Sequence, residues 1–423
     1  MSSISMGRYS EMGITTVKAF QDKIISMAGT TITALDSDLN FSNKGYNNAV
    51  LIFTTAQTTS TAYIDKIVNI STMDAATKRI VVDSTVGAWG MWTTYDGIAI
   101  LPRPESYVCL NNDSIKETVK WDDTECLQAW EPSYHAALTV DTGGDLGIFV
   151  GSESKVLSLV LSAAFGYTTF SAGTFGTNKQ TMYPGSQTQG LTIYVMRGNH
   201  VSLECYGGTY IDNFTIDQPA GAGATARITM TGGFGIMEMG GPNKTFPTGA
   251  SAFWNPTSPT PDVKRMSFRH LVVSTGTYPA MTVPKNYAES ASLTIARNPT
   301  AERRLGDSGI FDSQSAKFLV TGNVVQWFES DDDLVNWRGG HAKAFASEPS
   351  TFDIQYKWTG TATTGTFLEF DAFDVVWRDS TQPITNARIK ETLTWQAKKS
   401  SSQGRSVQCI YDGYTGTSYT AMP

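Results

Sequence analysis

The chain is poor in charge, in paired cysteine and in catalytic motifs. Charged residues fill 17% of its 423 positions, against a usual share of about 25%. The four cysteines, Cys109, Cys126, Cys205 and Cys409, form no CxxC pair, and no histidine stands at ligand spacing from them. Zinc is therefore not expected, and small core residues in a reducing cytoplasm are a simpler reading than a disulfide. His135, His200, His270 and His341 lie far apart and none sits in an HExxH frame. There is no Gly-x-Ser-x-Gly turn for a nucleophile. Gly221, Ala222 and Gly223, and the pair Gly232 and Gly233, precede no helical pattern, so no phosphate cradle is implied. Asp331, Asp332 and Asp333 lack the spacing of an EF-type calcium loop. The longest apolar run, near 156–165, falls short of the roughly 20 residues that span a bilayer. The first six residues lack a signal-peptide pattern. A net charge of -7 is not that of a nucleic-acid binder. No catalytic residues, metal, cofactor or membrane insertion are expected.

Threonine, serine, glycine and aromatics fill the space that charge leaves, a profile of an all-β protein. The clearest stretch is 316–398. Residues 317–328 are rich in β-branched and aromatic types and read as a strand. Ser330 and Asp333 follow with capping-box spacing, ahead of Leu334, Val335 and Trp337, and predict a short helix ended by Gly339 and Gly340. Strands follow at 351–358 and 367–377, around a Gly/Thr turn at 359–365. In 387–397, Ala387, Ile389, Leu393, Trp395 and Ala397 alternate with Arg388, Lys390, Thr392, Thr394 and Gln396. That is a strand with one buried and one wet face, Glu391 being the exception on the buried side. Glu369 and Asp371 share one strand face, as a glycosidase pair would, but no second acidic strand accompanies them.

The same order of elements occurs earlier, over 134–233. A strand at 135–140 precedes a helix capped by Ser152, with Val156, Leu157, Val160, Leu161 and Ala164 as its apolar stripe and Gly166 at its end. Strands at 191–196, 201–206, 210–217 and 226–230 follow. Residue identity between the two stretches is slight; order and pattern match. The chain therefore divides into an arm at 1–14, a β-rich module at 15–104, a first unit at 105–233, a Gly/Pro linker at 234–262 and a second unit at 263–423. The module has strand candidates at 49–54, 62–70, 79–83 and 98–101. Its Trp89, Trp92 and Tyr95 read as its own core before they read as a sugar platform.

With these pieces in place, the sequence resembles the double-domain tail tube proteins of long-tailed, siphophage-like bacteriophages. The resemblance lies in Leu191, Thr192, Ile193 and Tyr194, in the runs 205–216 and 226–232, and in their second-half equivalents at 320–329, 368–373 and 389–398. It covers roughly 105–423; residues 15–104 depart from it. It implies a mainly β fold of two tandem β-sandwich or partial-barrel units, each with one short flanking α-helix, beside the small N-terminal β module. It also implies a structural, non-enzymatic virion component. Homotrimer rings of six similar units would stack into a hollow filament that conducts double-stranded DNA from capsid to host cell. The implied partners are further copies of the chain, the tape measure protein, the tail terminator and tail tip or baseplate proteins, with transient passage of DNA. The implied location is the virion tail, assembled in the host bacterial cytoplasm. On this reading Glu204, Asp212, Glu369 and Asp371 are candidates to face the lumen. Gly360, Thr363 and Gly365 in one loop, Asn178 and Gln187 in another, and the arm are candidates for contacts between rings. The module is expected to face outward. The alternative is an adhesin or decoration protein that binds glycans or a capsid.

Overall fold

The computed structural model describes residues 11–15, 20–28, 31–34, 50–55, 67–74, 79–82, 97–102, 104, 106–124, 134–151, 155–173, 178–186, 190–197, 202–240, 265–285, 288–302, 312–315, 317–328, 333, 335, 350–360, 366–382 and 389–414. Over these residues the protein is mainly β. The chain begins with β1 (Glu11–Thr15) and then enters β2 (Phe20–Ala28), β3 (Thr31–Ala34), β4 (Val50–Thr55), β5 (Ile67–Asp74), β6 (Arg79–Val82) and β7 (Gly97–Leu101). Next come β8 (Ser106–Asp113), β9 (Lys116–Thr124), β10 (Tyr134–Phe149) and the helix α1 (Lys155–Phe165). The first half ends with β11 (Gly166–Ala172), β12 (Asn178–Pro184), β13 (Leu191–Arg197), β14 (Ser202–Gln218), β15 (Thr225–Thr231) and β16 (Phe234–Gly240). The second half contains β17 (Leu271–Thr277), β18 (Ala280–Pro284), β19 (Ala288–Ala296), β20 (Pro299–Glu302), β21 (Asp312–Ser315) and β22 (Leu319–Trp327). It closes with β23 (Phe352–Thr359), β24 (Phe367–Thr381), β25 (Lys390–Gln396) and β26 (Val407–Tyr414).

Strands β2 to β7 close a small barrel in the order β2-β3-β6-β5-β4-β7, with β7 returning to β2. Leu51, Ile80, Ile98 and Ile100 are fully buried in it. Closure leaves the module no free sheet edge. It is not simply set ahead of the first half. Strand β1 precedes it, yet pairs with β13 and β8 beyond it. Glu11–Thr15, at the end of the expected arm, is therefore a strand of the main body, and the barrel occupies the β1-to-β8 connection.

The main body has two layers. One contains β8-β1-β13-β14-β16 and, farther on, β11-β12-β26-β24-β23-β17-β18. The other is a continuous antiparallel sheet, β9-β10-β15-β14-β19-β22-β25-β24, that runs through both halves. Strands β14 and β24, 17 and 15 residues long, serve both layers: their first portions pair in one and their last portions in the other. The sequence suggests two strands where β14 is one, because Gly207 and Gly208 look like a break. Gly208, at φ 66, is instead a bend within the strand. The residues from Phe234 were expected to begin a linker, but Phe234–Gly240 is a strand on β14. Gly233 is there for proximity rather than looseness: a Cβ on it would lie 2.1 Å from the Gly207 carbonyl oxygen.

The pairing scheme of the first half recurs in the second. β13-β14-β15-β10 corresponds to β23-β24-β25-β22, β1 to β17, and β16 to β26. Three β-bulges recur too. The irregularity at Leu191/Ile193 answers that at Phe352/Ile354, Ile211/Asn213 answers Trp377/Asp379, and Gly147/Ile148 with Asn112 and Leu110 answers Val325/Gln326 with Ser290 and Ala288. A bulge re-aims a strand and fixes register, so matched bulges mean matched curvature. In the second half, β17 and β18 are joined by a short turn at 278–279; the barrel stands at the corresponding place in the first.

One apolar cluster joins the halves, running from Ile115 and Leu146 to Cys409 and Tyr411. The helix α1 is enclosed: of its residues only Lys155 and Ser162 are not buried. Ser158 Oγ donates to Gln180 Oε1 at 2.7 Å in the interior, and Phe165 packs against Phe318 and Phe370 of the second half. Gly166, at φ 85, ends the helix as its sequence position suggests. Arg297, 1% exposed, reaches across from the second half and donates to the Ala163, Ala164 and Gly185 carbonyl oxygens at 3.4, 3.2 and 3.0 Å. A cation here satisfies the last helix carbonyls and suits the negative end of the dipole. Burial lowers the Arg297 pKa to about 10, so it is charged at neutral pH.

Candidate functional site: the open face of the continuous sheet

Side chains alternate across the continuous sheet. Leu146, Ile148, Ala226, Ile228, Phe214, Ile216, Leu293, Ile295, Val320, Val324, Leu393 and Trp395 point into the core and are buried. The opposite face carries small polar residues in cross-strand rows. One row runs Arg227, Thr215, Thr294, Thr321, Gln396. The next runs Thr225, Asp217, Ser292, Asn323, Thr394, Asp379. Thr215 and Thr294 meet at 3.0 Å between hydroxyls, across the joint between the halves. Such alternation is what a sheet with one solvated face requires.

Charge on this face is sparse and mostly answered. Arg227 donates to Asp145, which also accepts from Thr229 Oγ1 at 2.7 Å. The hydrogen bond from Arg227 holds the Asp145 carboxyl below its ordinary pKa. Lys390 pairs with Glu289 at 2.6 Å and Lys120 with Asp141 at 2.7 Å. Asp217 has its pKa raised by burial. The face is thus hydroxyl- and amide-rich with little net field.

The carboxylates selected from the sequence do not gather on it. Glu369 and Asp371 are 7% and 0% exposed and lie in the other layer, where the first portion of β24 sits between β23 and β26. They do share a strand face, as read. Lys357 pairs with Glu369 at 2.6 Å, and Asp371 accepts from Gln355 at 2.8 Å and Gln408 at 3.1 Å. Burial, then the neighbouring Glu369 charge, push the Asp371 pKa up to about 7. A side chain so enclosed does not line an open surface. Glu204, part-buried, accepts from Tyr206 Oη at 2.7 Å in the β13-β14 layer. Asp212 accepts from Asn213 Nδ2 at 3.0 Å and has its pKa raised by burial.

Asp333, the acid of the expected capping box, is helical, and its carboxylate accepts from Lys285 at 2.7 Å and Gln326 at 2.8 Å. Ser152 and Ser330 lie outside the described residues, as do Thr363, Gly365 and Gln187. Gly360 donates its N–H to the Thr366 carbonyl at 2.6 Å, at the mouth of the expected loop. Asn178 is not in a loop: it opens β12, opposite Ala172 and near Tyr414. The exception noted at Glu391 has a partner set: the carboxylate, 1% exposed, accepts from Ser380 at 2.8 Å, Gln382 at 3.1 Å and Gln326 at 3.3 Å. The sequence-based choice of site residues missed the Thr/Ser rows. Their signal was the alternation Ser290, Ser292, Thr294 and Thr225, Thr229, Thr231.

Among the described residues, no group of three or more His, Cys, Asp and Glu is arranged to hold a metal ion, and no helix is long and apolar enough to cross a membrane. Cys205 and Cys409 are buried free thiols whose pKa is raised by burial. Over the described residues, the open face belongs to one long antiparallel sheet that is polar on that side. The family model described as phage tail tube protein matches residues 131–397, more than half of the chain, and the chain belongs to that family. Among solved structures, the chain is similar to one in the cryo-EM structure of an extracellular contractile injection system, the PVC sheath-tube complex in its extended state. That match has 13% identity and a TM-score of 0.25, covering 37% of this chain and 95% of the other. No curated protein matches.

Proposed function

We propose that three copies of this structural tail tube protein close a ring of six similar units, two per chain, and that rings stack into the hollow tube of a bacteriophage tail. The tube conducts double-stranded DNA from capsid to host cell. The observation that carries this reading is the continuous sheet: it passes from one half to the other without a break and keeps one face open and polar throughout. That face lines the bore.

A bore must let a polyanion slide. Each Lys or Arg that neutralises a phosphate adds salt-dependent affinity, and here Arg227, Lys390 and Lys120 are each matched by a carboxylate. Threonine, serine and asparagine hold water and give DNA no fixed counter-charge. The lining is thus near-neutral rather than the acidic surface suggested by Glu204, Asp212, Glu369 and Asp371. The barrel enters through the β1-β8 connection in the layer away from that face, which supports an outward position. Ring-to-ring contacts involve the loop from Gly360 and residues 1–10. The tape measure protein, tail terminator and tail tip or baseplate proteins meet the finished tube, and assembly takes place in the host cytoplasm.

The test combines electron micrographs with delivery. Purified protein gives rings or tubes with a central hole. The pair Thr294→Arg and Thr321→Arg leaves tubes intact and slows DNA delivery at least tenfold at low salt. Unchanged delivery removes this face from the bore; a protein that never forms rings removes the tube reading itself.

A further inference from the structure

The open face carries a built ion pair in the first half and neutral side chains at the equivalent place in the second. Asp145 stands opposite Thr229, and Gly147 opposite Arg227. Arg227 reaches Asp145 along the diagonal, past a glycine that puts no side chain in its way. The Asp145 carboxylate is held from two sides: Arg227 donates to Oδ2, and Thr229 Oγ1 donates to Oδ1 at 2.7 Å. The Asp145 N–H donates to Ser114 Oγ at 3.0 Å. The hydrogen bond from Arg227 keeps the carboxyl below its ordinary pKa, so it is ionised at neutral pH. The Arg227 and Asp145 side chains are 65% and 26% exposed, and an ion pair so exposed adds little to stability. In the second half, Asn323 stands opposite Thr394 and Val325 opposite Thr392. The matched bulges set Gly147 against Val325, and so align Asp145 with Asn323, Thr229 with Thr394 and Arg227 with Thr392. The same face is built there without the charges, so the fold does not require the pair.

We propose that Asp145 is a charge mask: it holds the Arg227 guanidinium away from passing DNA and so keeps the bore from gripping phosphate. This rests on the bore reading above and names the residue that regulates sliding along that face. With two units per chain and three chains per ring, Arg227 occupies three of the six equivalent positions and recurs in every ring. A bare guanidinium takes phosphate well, through a planar fork of donors. Asp145 fills that fork with a fixed carboxylate and cancels the charge. Without it each ring gains three positive charges, and DNA meets them one ring after another. Each phosphate contact displaces counterions, so the resulting drag depends on salt. Thr229 is a positioning residue: its hydroxyl fixes the second carboxylate oxygen. Asp217 adds a more distant negative charge that Arg227 also feels.

The test times DNA ejection, at low and at high salt, from virions whose tubes carry the variants. Asp145→Asn keeps the shape and removes the charge. Ejection slows at least fivefold at low salt and returns to the parent rate at high salt. Adding Arg227→Thr, which installs the residue of the second half, restores the parent rate at low salt. Unchanged ejection by Asp145→Asn overturns the mask. So does a slowing that salt does not relieve, or one that Arg227→Thr does not reverse. The pair Thr294→Arg and Thr321→Arg separates the two readings. If that pair slows delivery and Asp145→Asn does not, the mask fails and the bore stands; if neither slows it, both fail. The second half gives an answer if Asp145→Asn tubes do not assemble. Thr392→Arg slows ejection at low salt, because Asn323 brings no charge to meet it. Adding Asn323→Asp rebuilds the pair and restores the rate. Failure of that restoration also overturns the mask.

Discussion

The two halves share a pairing scheme and fill it differently. In the second half, Trp395, Tyr356, Trp377 and Phe352 make an aromatic core, with Trp395 Nε1 donating to Tyr356 Oη at 2.8 Å and Phe352 against Trp377 at 4.8 Å. Register places Met230, Val195, Ile211 and Leu191 at those positions in the first half, where the enclosed helix α1 supplies bulk instead. Backbone pairing and bulges are kept while side-chain volume is redistributed. Cores tolerate such exchange if pattern and total volume hold. That is why the halves show little residue identity and still build one uninterrupted sheet.

The position where the halves agree most closely is the one to break first. Gly144 and Gly322 occupy equivalent places, opposite Met230 and Trp395. Both are glycine because something fills the space of a side chain. A Cβ on Gly322 would lie 2.5 Å from the Ser292 carbonyl oxygen and from the Trp395 ring; one on Gly144, at φ 143, would lie 2.5 Å from the Ser114 carbonyl oxygen. Neither neighbour is a flexible chain end. Gly322→Ala and Gly144→Ala should each cost about 3 kcal/mol or more, by overpacking and, for Gly144, backbone strain. Gly221→Ala, with positive φ but nothing within 4 Å, should cost about 1 kcal/mol. Thermal melts of the three variants measure this. A small shift for Gly322→Ala and a large one for Gly144→Ala would show that the match is one of pairing alone.

Arg297 sharpens the comparison at the joint, since it belongs to the second half and finishes the helix of the first. Arg297→Met keeps the aliphatic bulk and leaves the Ala163, Ala164 and Gly185 carbonyls without this donor, a loss of about 2 kcal/mol. Hydrogen exchange should quicken first at 161–166. Uniform loss of protection across the chain would mean that the residue stabilises the whole core rather than the helix end.

Period-2 alternation made most of the second half readable: Lys390–Gln396 falls inside the expected 387–397 strand. The helix end at Gly166 was readable because a chemical rule governs it. Glycine misled in two places, at Gly207 with Gly208 and at 234–240, because close approach and flexibility call for the same residue. Strands β2, β3, β11 and β12 were missed; β12 gains its place from a partner in the other half, β26, which local pattern does not show. The carboxylates at Glu369 and Asp371 were put on one strand face correctly but assigned to solvent. The glutamines that enclose Asp371 come from β23 and β26, which are distant in sequence from one another.

Those carboxylates mark the smallest and most specific difference between the halves. Matched bulges put Cys205 at the position of Asp371. The first half thus buries a thiol where the second buries an acid. An acid whose pKa in the fold, about 7 for Asp371, exceeds its unfolded value near 4 binds its proton more tightly when folded. Its contribution is complete below the unfolded pKa and is lost as pH rises from about 4 to 7. Asp371→Asn keeps the shape, can still accept from Gln355 or Gln408, and removes the ionisation. The variant should be more stable than the parent at pH 8 by about 1 kcal/mol, once the partial relief that Gln355 and Gln408 give the charge is allowed for, and equal to it at pH 4. Denaturant melts at both pH values read the difference. A variant less stable at pH 8 would mean that the ionised carboxylate is what the two glutamines and the Lys357–Glu369 pair are built to hold. The two halves would then differ by a stabilising charge rather than by a tolerated one.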